Sequence, residues 1–222
     1  MPKSKMNRAL PLLLAVAGSM SAVHAQETKG DAANGAKLNQ MCIGCHGIPG
    51  YQASFPEVYK VPAISGQNEK YIVAALDAYR KGDRKHPTMH AVAGSLTDQQ
   101  IADLAAYYSQ NGQWPAAPEA PAAQPSPEVA ALLAKGACVS CHGPNFSKPI
   151  DGSYPKIAGQ YPDYLYAALK AYKTEGSPIV GRGNAIMAAQ VKQFSHKELK
   201  AIAAYIGSLP GEVGTVAHSK FR

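Results

Sequence analysis

The chain has few long apolar stretches, and its one clear run is too short to cross a membrane. That run, residues 9–20, has twelve residues, against roughly 20 for a helix that spans a bilayer. Three basic residues precede it and small residues suited to cleavage follow it. This layout predicts a secretory signal peptide at residues 1–25, with Gln26 as the first mature residue.

The chain also lacks a basic stripe with interleaved aromatic residues, as a nucleic-acid-binding surface would have. Without residues 1–25 it holds 19 bases and 15 acids, a net charge of +4. The charge is unevenly spread, because residues 26–115 are neutral overall while residues 129–222, with eleven bases and five acids, carry +6. We therefore expect no nucleic-acid partner and a second half that is the basic one.

Cysteine is scarce, and all four cysteines stand in two copies of one pattern. The copies are Cys42-Ile43-Gly44-Cys45-His46 and Cys138-Val139-Ser140-Cys141-His142. Cys-x-x-Cys-His is the attachment signature of c-type haem. Two thiols one helical turn apart can reach the two vinyl groups of one porphyrin, and the next imidazole then lies under the iron. The sequence thus predicts two covalently bound haem c groups.

Other interpretations of the motif fit less well. A thioredoxin-like pair needs no histidine after it and belongs in a βαβ context, which is not indicated here. A zinc site needs four convergent ligands, whereas each cluster offers three that are crowded together. Chance could produce one such motif, but hardly two at matching places.

The chain is a tandem duplication. Pro-x-Ile-x-Gly-Gln occurs at residues 62–67 and again at 155–160. Between the copies, residues 113–127 carry five prolines and are typical of an extended, semi-rigid linker. We expect an N-terminal domain at residues 26–112 and a C-terminal domain at 128–222.

Each half is predicted to be helical. Thr97 and Ser195 each begin a capping box, with Gln100 and Glu198 as the later partners, and an amphipathic pattern follows. Ser126-Pro127 suits another helix start. No alternating strand pattern is present, so the fold class is all-α, with two tandem domains each wrapped around a covalently attached haem.

The second axial ligand of each iron is expected to be methionine. The mature methionines are Met41, Met89 and Met187. Met41 adjoins the first cysteine on the proximal side, so it cannot reach the other face of the ring. His86 and His90 compete with Met89, but the last helices of the halves align at an offset of 98, which pairs position 89 with 187.

These positions give the pairs His46/Met89 and His142/Met187 as metal ligands. His/Met ligation leaves no open coordination position and raises the reduction potential relative to two histidines. Such an iron suits an electron carrier, and we expect no enzyme activity. A haem enzyme with a cysteine ligand is disfavoured because all four cysteines are used for attachment.

Together, these motifs make the chain similar to dihaem cytochromes c of the cytochrome c4 type. The resemblance implies two cytochrome c domains packed about a pseudo-twofold axis, in a periplasmic carrier that is either soluble or peripherally associated with the membrane. It implies a quinol-oxidising cytochrome complex as donor and a terminal oxidase as acceptor. It also implies that the carbonyls of Pro62 and Pro155 accept a hydrogen bond from the axial histidines, although a simple turn proline remains the alternative.

A second function stays open: a cytochrome c subunit of a periplasmic dehydrogenase complex, such as a sulfur-oxidising flavocytochrome. For either function, the positive second domain is expected to steer an acidic partner. The tyrosines repeated at helical spacing are predicted to pack in a core or domain interface, and Trp114 to pack against a domain. The charges expected at the positive end are Arg182, Lys192, Lys197, Lys200, Lys220 and Arg222.

Overall fold

A computed structural model of the protein describes residues 28–119, 121 and 123–218. The predicted signal peptide, Lys220 and Arg222 lie outside these residues. The first domain contains α1 (Ala32–Leu38), α2 (Gln40–His46), β1 (Gln52–Ala53), β2 (Tyr59–Lys60), α3 (Glu69–Lys81), β3 (Arg84–Lys85), α4 (Pro87–Gly94) and α5 (Asp98–Gln110). The second contains α6 (Pro127–Lys135), α7 (Val139–His142), α8 (Pro162–Ala171), β4 (Gly181–Arg182), α9 (Ala185–Lys192) and α10 (His196–Ser208). Within the described part, no helix is long and apolar enough to cross a membrane.

Both predicted capping boxes are present, and they begin the last helix of each domain. The Thr97 hydroxyl accepts from the Gln100 amide at 3.2 Å, and the Gln100 side chain accepts from the Thr97 amide at 2.9 Å. Ser195 and Glu198 make the same exchange at 3.3 and 2.7 Å. Each box satisfies amide groups that have no partner within the helix, and the apolar faces of α5 and α10 lie in the two cores.

Helix α1 crosses α5 at a glycine. A Cβ atom at Gly35 would lie 2.1 Å from the Asp103 carbonyl oxygen, so a larger residue would push the helices apart. The buried Asp103 carboxylate ties the crossing together by accepting from the Asp31 amide at 2.8 Å and the Asn34 side chain at 2.5 Å. This crossing fixes the start of α2, which carries the first Cys-x-x-Cys-His motif.

The predicted all-α fold is confirmed in its main features, because the regular elements are mostly helices. Among the described residues, the structure adds four short strands that the sequence did not predict. β1 pairs with β2 inside the first domain, whereas β3 pairs with β4 across the domains, with Arg84 opposite Arg182. Each strand has two residues, which is too short for an alternating pattern to be read from sequence. The β3–β4 ribbon is one of the contacts that join the domains.

Two buried glutamines form a symmetric second contact between the domains. The Gln67 side chain donates to the Lys156 carbonyl at 2.8 Å and accepts from the Lys156 amide at 2.8 Å. The Gln160 side chain donates to the Ala63 carbonyl at 2.8 Å and accepts from the Ala63 amide at 3.0 Å. Both glutamines end the repeated Pro-x-Ile-x-Gly-Gln segment, so each copy of the motif binds the other.

Trp114, the first large residue of the linker, packs between the domains as well. Three glycines pack directly against its indole ring. A Cβ atom added to Gly66, Gly112 or Gly214 would lie 2.7, 2.9 or 2.1 Å from the ring, respectively. At Gly112 it would also lie 2.8 Å from the Val216 side chain. The expected packing of Trp114 against a domain is therefore confirmed. The indole contacts both the first domain and the segment that follows α10.

The segment after α10, residues 211–218, returns to the first domain. Gly214 exchanges two backbone hydrogen bonds with Ser65, at 3.0 and 3.1 Å. Four residues later, the His218 amide donates to the Gly47 carbonyl at 3.0 Å, next to the first axial histidine candidate. This stretch has no counterpart in the first repeat, and its contacts make it a strap that holds the two domains together.

We predict that Gly214→Ala destabilises the protein by about 1–3 kcal/mol, because the new methyl group would overlap the Trp114 ring and force the strap away. Gly94→Ala is the matched control, since a Cβ there meets nothing within 4 Å; it should be neutral or stabilising by up to about 1 kcal/mol. The check is the free energy of denaturant-induced unfolding. Equal stability of the two variants would contradict the strap's role.

Candidate haem-binding sites

The first Cys-x-x-Cys-His motif lies within α2, so Cys42, Cys45 and His46 occupy one turn of helix. The second is built differently: α6 ends at Lys135, Ala137 has a positive φ of 45°, and α7 then starts after Cys138. In both copies the two cysteines are one turn apart and are free thiols. The spacing that thioether attachment requires is therefore formed in both domains.

The alternatives of a disulfide or a metal cluster find no support at these cysteines. All four thiols are unbridged. In the part of the chain that the structure describes, no three His, Cys, Asp or Glu side chains come together as a metal site would need. Burial raises the pKa of the Cys42 and Cys138 thiols.

Each motif's histidine donates a hydrogen bond to a proline carbonyl. The distance from Nδ1 to the carbonyl oxygen is 2.9 Å for His46 and Pro62 and 3.2 Å for His142 and Pro155. A carbonyl can only accept, so Nδ1 carries the proton and Nε2 keeps the lone pair that binds a metal. Burial lowers the pKa of both histidines, which favours the neutral, metal-binding form. The bonds implied by the resemblance are present in both domains.

The two methionines occupy equivalent positions, each the third residue of a short helix. Met89 lies in α4 and Met187 in α9. The residue before each helix caps the methionine's amide: His86 Nδ1 accepts from Met89 at 3.4 Å, and the Asn184 side chain accepts from Met187 at 2.9 Å. The offset of 98 residues therefore relates His86 to Asn184, as the repeat alignment indicates.

This capping weakens one of the two rival ligands of the first site, His86. Because Nδ1 of His86 accepts, the proton of the neutral ring is on Nε2, and no lone pair is left for iron. The exposed His90 uses its Nδ1 to donate to the Tyr79 carbonyl at 2.7 Å. That bond leaves the Nε2 lone pair of His90 free, as it does in His46, so His90 is set aside by the repeat alignment and not by its hydrogen bond.

Sequence reasoning missed a cationic cluster at the domain interface. Arg84 and Arg182 face each other in the β3–β4 ribbon, and both donate to the hydroxyl of Tyr164, at 2.7 and 3.0 Å. Burial raises the pKa of Tyr164, but the two guanidinium groups outweigh it and lower the value to about 8. Arg182, expected among the charges of the positive end, therefore lies in the domain interface.

The cluster is rich in donors and poor in acceptors. Arg84 also donates to the Tyr71 hydroxyl at 3.3 Å, yet its Nε is buried with no hydrogen-bond partner among the described residues. No carboxylate among the residues described pairs with either arginine. Buried charges need a partner. A haem c brings two propionate carboxylates, so the donor set fits this group. The repeated tyrosines and the two arginines at an offset of 98 were the signal that could have revealed the cluster.

Comparison with known proteins agrees with this geometry. A family model for cytochrome c matches residues 32–111 and 128–210. Cytochrome c4 of Azotobacter vinelandii is 31% identical over 92% of this chain and 100% of its own length. The crystal structure of reduced recombinant cytochrome c4 from Pseudomonas stutzeri has a TM-score of 0.58 at 27% identity, covering 81% of this chain and 99% of that one.

A second kind of relative carries a different name. A protein called thiosulfate dehydrogenase electron acceptor, from Stutzerimonas stutzeri (strain A1501), is 29% identical over 76% of this chain and 78% of its own length. The family match in both halves, the full-length relatives and the shared architecture confirm the predicted fold of two tandem cytochrome c domains. The chain belongs to the cytochrome c family and, within it, to the cytochrome c4 type.

Proposed function

We propose that this protein is a periplasmic electron carrier that holds two covalently bound haem c groups and passes single electrons between redox proteins. The observation that carries the proposal is the repeated unit of a Cys-x-x-Cys turn and a histidine whose Nδ1 donates to a proline carbonyl. Such a histidine is oriented for iron by its second hydrogen bond. Two complete copies of this unit support two haems in one chain.

In the first domain, Cys42 and Cys45 attach the haem, and His46 and Met89 bind its iron. His46 is held by Pro62, and Met89 is held at the start of α4 by the capping residue before it. In this arrangement the helix fixes the methionine's backbone and the crossing of α1 and α5 fixes the motif.

In the second domain, Cys138 and Cys141 attach the haem, and His142 and Met187 bind its iron. When bound, each haem supplies one iron that gains or loses a single electron. With a histidine and a methionine of the chain as its ligands, each iron would have no position left for an external ligand, and an electron could move with little rearrangement. This is the property of a carrier rather than of an oxygen-activating enzyme.

Arg84 and Arg182 would hold propionate groups of the haems. Their donors line one cleft together with Tyr59, Tyr79 and Tyr164. Bidentate pairing with carboxylates is the interaction that arginine makes best. Placement of the anionic edges at this interface would neutralise the two guanidinium groups and bring the two haems towards each other.

Residues 1–25 are proposed as the export signal, and haem c attachment outside the cytoplasm agrees with it. We retain as proposals the domain bounds 26–112 and 128–222 and the linker 113–127. The linker is less independent than its composition indicates, because the Ala117 amide donates to the Glu212 side chain at 3.1 Å and the Asn145 side chain donates to the Pro118 carbonyl at 2.7 Å.

Two sets of partners fit the carrier equally well. In the first, the donor is a quinol-oxidising cytochrome complex and the acceptor is a terminal oxidase. In the second, the protein accepts electrons from a periplasmic dehydrogenase of a sulfur compound, as the name of the Stutzerimonas stutzeri relative suggests. The two differ in the source of electrons. Stopped-flow reduction by a thiosulfate dehydrogenase, compared with reduction by the host's quinol-oxidising complex, separates them: the physiological donor is the one that reduces the protein faster.

Replacement of Met187 by Ala should open the second iron to carbon monoxide while the first haem stays attached and six-coordinate, because the thioether ligand is removed at one site. The absorption spectrum under carbon monoxide should change for one haem of the two, and the near-infrared methionine–iron band should halve. Met41→Ala is the control, since Met41 is 56% exposed and lies on the proximal side. An unchanged spectrum for Met187→Ala would reject this ligand.

Partner docking is proposed through the basic end of the second domain, where Lys192, Lys197 and Lys200 are exposed. Of the other charges expected there, Arg182 lies in the interface, and Lys220 and Arg222 fall outside the described residues. A field of one sign raises the rate of encounter with an acidic partner and is screened over about 8–10 Å at physiological salt.

The combined change Lys192→Glu with Lys197→Glu should lower the rate of electron transfer at low salt by about tenfold or more, because steering is reversed. The pair Lys37→Glu with Lys81→Glu, both exposed in the first domain, is the matched control and should have the smaller effect. Stopped-flow kinetics at several salt concentrations with the cognate partner measure both. A rate that does not depend on salt, or that falls more for the control, would overturn the docking site.

A further inference from the structure

The peptide bond between Pro62 and Ala63 takes part in two hydrogen bonds that point in opposite directions. Its oxygen accepts from Nδ1 of His46 at 2.9 Å. Its N–H, which is the Ala63 amide, donates to the side-chain oxygen of Gln160 at 3.0 Å. A single buried peptide group thus connects the axial histidine of the first domain to a glutamine of the second.

The equivalent peptide bond, between Pro155 and Lys156, makes the reciprocal connection. Its oxygen accepts from Nδ1 of His142 at 3.2 Å, and its N–H donates to the Gln67 side-chain oxygen at 2.8 Å. Each glutamine therefore contacts the peptide that holds the histidine of the other domain. The glutamine of the second domain thus contacts the first histidine's peptide, and the glutamine of the first domain contacts the second's.

Further hydrogen bonds fix the orientation of both amides. Each oxygen also accepts from the amide of the next residue, Tyr161 at 3.1 Å for Gln160 and Asn68 at 3.0 Å for Gln67. The Gln160 nitrogen donates to the Ala63 carbonyl, and the Gln67 nitrogen donates to the Lys156 carbonyl, both at 2.8 Å. Exchange of nitrogen and oxygen in either amide would set a donor against an N–H and an acceptor against a carbonyl. The glutamine oxygen must therefore be the atom that faces each peptide N–H.

A peptide group transmits polarisation from one end to the other. When its N–H donates to an acceptor, electron density shifts towards its oxygen, and hydrogen-bonded chains strengthen cooperatively in a low-dielectric interior. A stronger acceptor at Nδ1 makes the imidazole a more basic ligand. A more basic ligand favours ferric over ferrous iron and lowers the reduction potential.

We propose that Gln67 and Gln160 are positioning residues that tune the haem of the opposite domain, Gln160 acting on the first haem through Pro62 and Gln67 on the second through Pro155. The proposal rests on the His/Met ligation given under Proposed function. It makes each domain part of the ligand environment of the other. Separation of the domains would therefore change both potentials, even though no axial ligand is lost.

The test uses the haem-loaded full chain with Gln160→Met or Gln67→Met, which keep the side-chain length and remove the amide. Gln160→Met should raise the midpoint potential of the first haem and leave that of the second unchanged. Gln67→Met should do the reverse. The midpoint potentials are measured by spectroelectrochemical titration. The titration is repeated with the additional change Met187→Ala, which identifies the first haem as the one that keeps its methionine ligand.

A second readout does not depend on measuring potentials. In the reduced, diamagnetic protein, the Nδ1 proton of His46 should shift upfield in the NMR spectrum of Gln160→Met, because its hydrogen bond weakens; the His142 proton should not move. Tyr161→Phe is the control. It removes a different interdomain hydrogen bond, from the Gly50 amide at 3.0 Å, and should move neither ring proton and neither potential.

A buried amide left without an acceptor costs about 1–3 kcal/mol, so a methionine variant that fails to fold is replaced by Gln160→Glu. Protonated, this carboxyl group replaces both hydrogen bonds of the amide and should leave the potential of the first haem near that of the wild type; ionised, it is the stronger acceptor for the Ala63 amide, so the potential of the first haem should then fall by more than that of the second. Shifts in the haem of the same domain, equal shifts in both haems, or no shift in the methionine variants or in the ionised Gln160→Glu protein overturn the proposal. Failure of the proposed ligation appears separately, as a Met187→Ala protein whose spectrum equals that of the wild type.

Discussion

The architecture depends on a peptide bond whose oxygen accepts from the histidine of a Cys-x-x-Cys-His motif and whose N–H donates to a glutamine of the other domain. This arrangement occurs twice, once in each copy of Pro-x-Ile-x-Gly-Gln. The same six residues that orient the imidazole also build the buried centre of the domain interface. The duplication therefore produced more than two independent domains, because the segment that serves each proposed haem site is also the segment that binds its twin.

The second constraint is the uncompensated positive charge of Arg84 and Arg182 at the same interface. The ribbon that places them side by side would be unfavourable without an anion, since one of their donors is buried and unpaired among the described residues. Under the proposed function, the propionates of the two haems would supply that charge. Among the described residues, the first domain's buried apolar cluster has six members and the second's has twelve, so the first domain has the smaller apolar cluster of the two.

Sequence was sufficient where a short local pattern has one physical solution. The capping boxes at Thr97 and Ser195 and the cysteine–histidine turns are of this kind, since their partners lie within a few residues. The equivalence of Met89 and Met187 came from the repeat, and the structure adds that His86 is a helix cap. The proline carbonyls were known only by resemblance, because their partner lies 13–16 residues away.

What sequence could not give are contacts that exist only once the two domains meet. The sequence around Arg182 does not show that it is in an interface, because that position depends on the pairing of β4 with β3. Strands of two residues are too short to give a periodic pattern in the sequence. Gln67 and Gln160 are repeated, but nothing in their neighbourhood says that each binds the other copy. The strap at Gly214 has no repeat counterpart at all, so its place on the first domain follows from the folded chain.

The central claim is that each chain binds two haems and that one histidine and one methionine bind each iron. The near-infrared spectrum of the oxidised protein, normalised to the chain concentration and to the covalently bound haem content, tests it most directly. The account predicts two covalent haems per chain and a methionine–iron band of the intensity that two six-coordinate sites give. One haem per chain, or two haems with the band of one site or none, would contradict it.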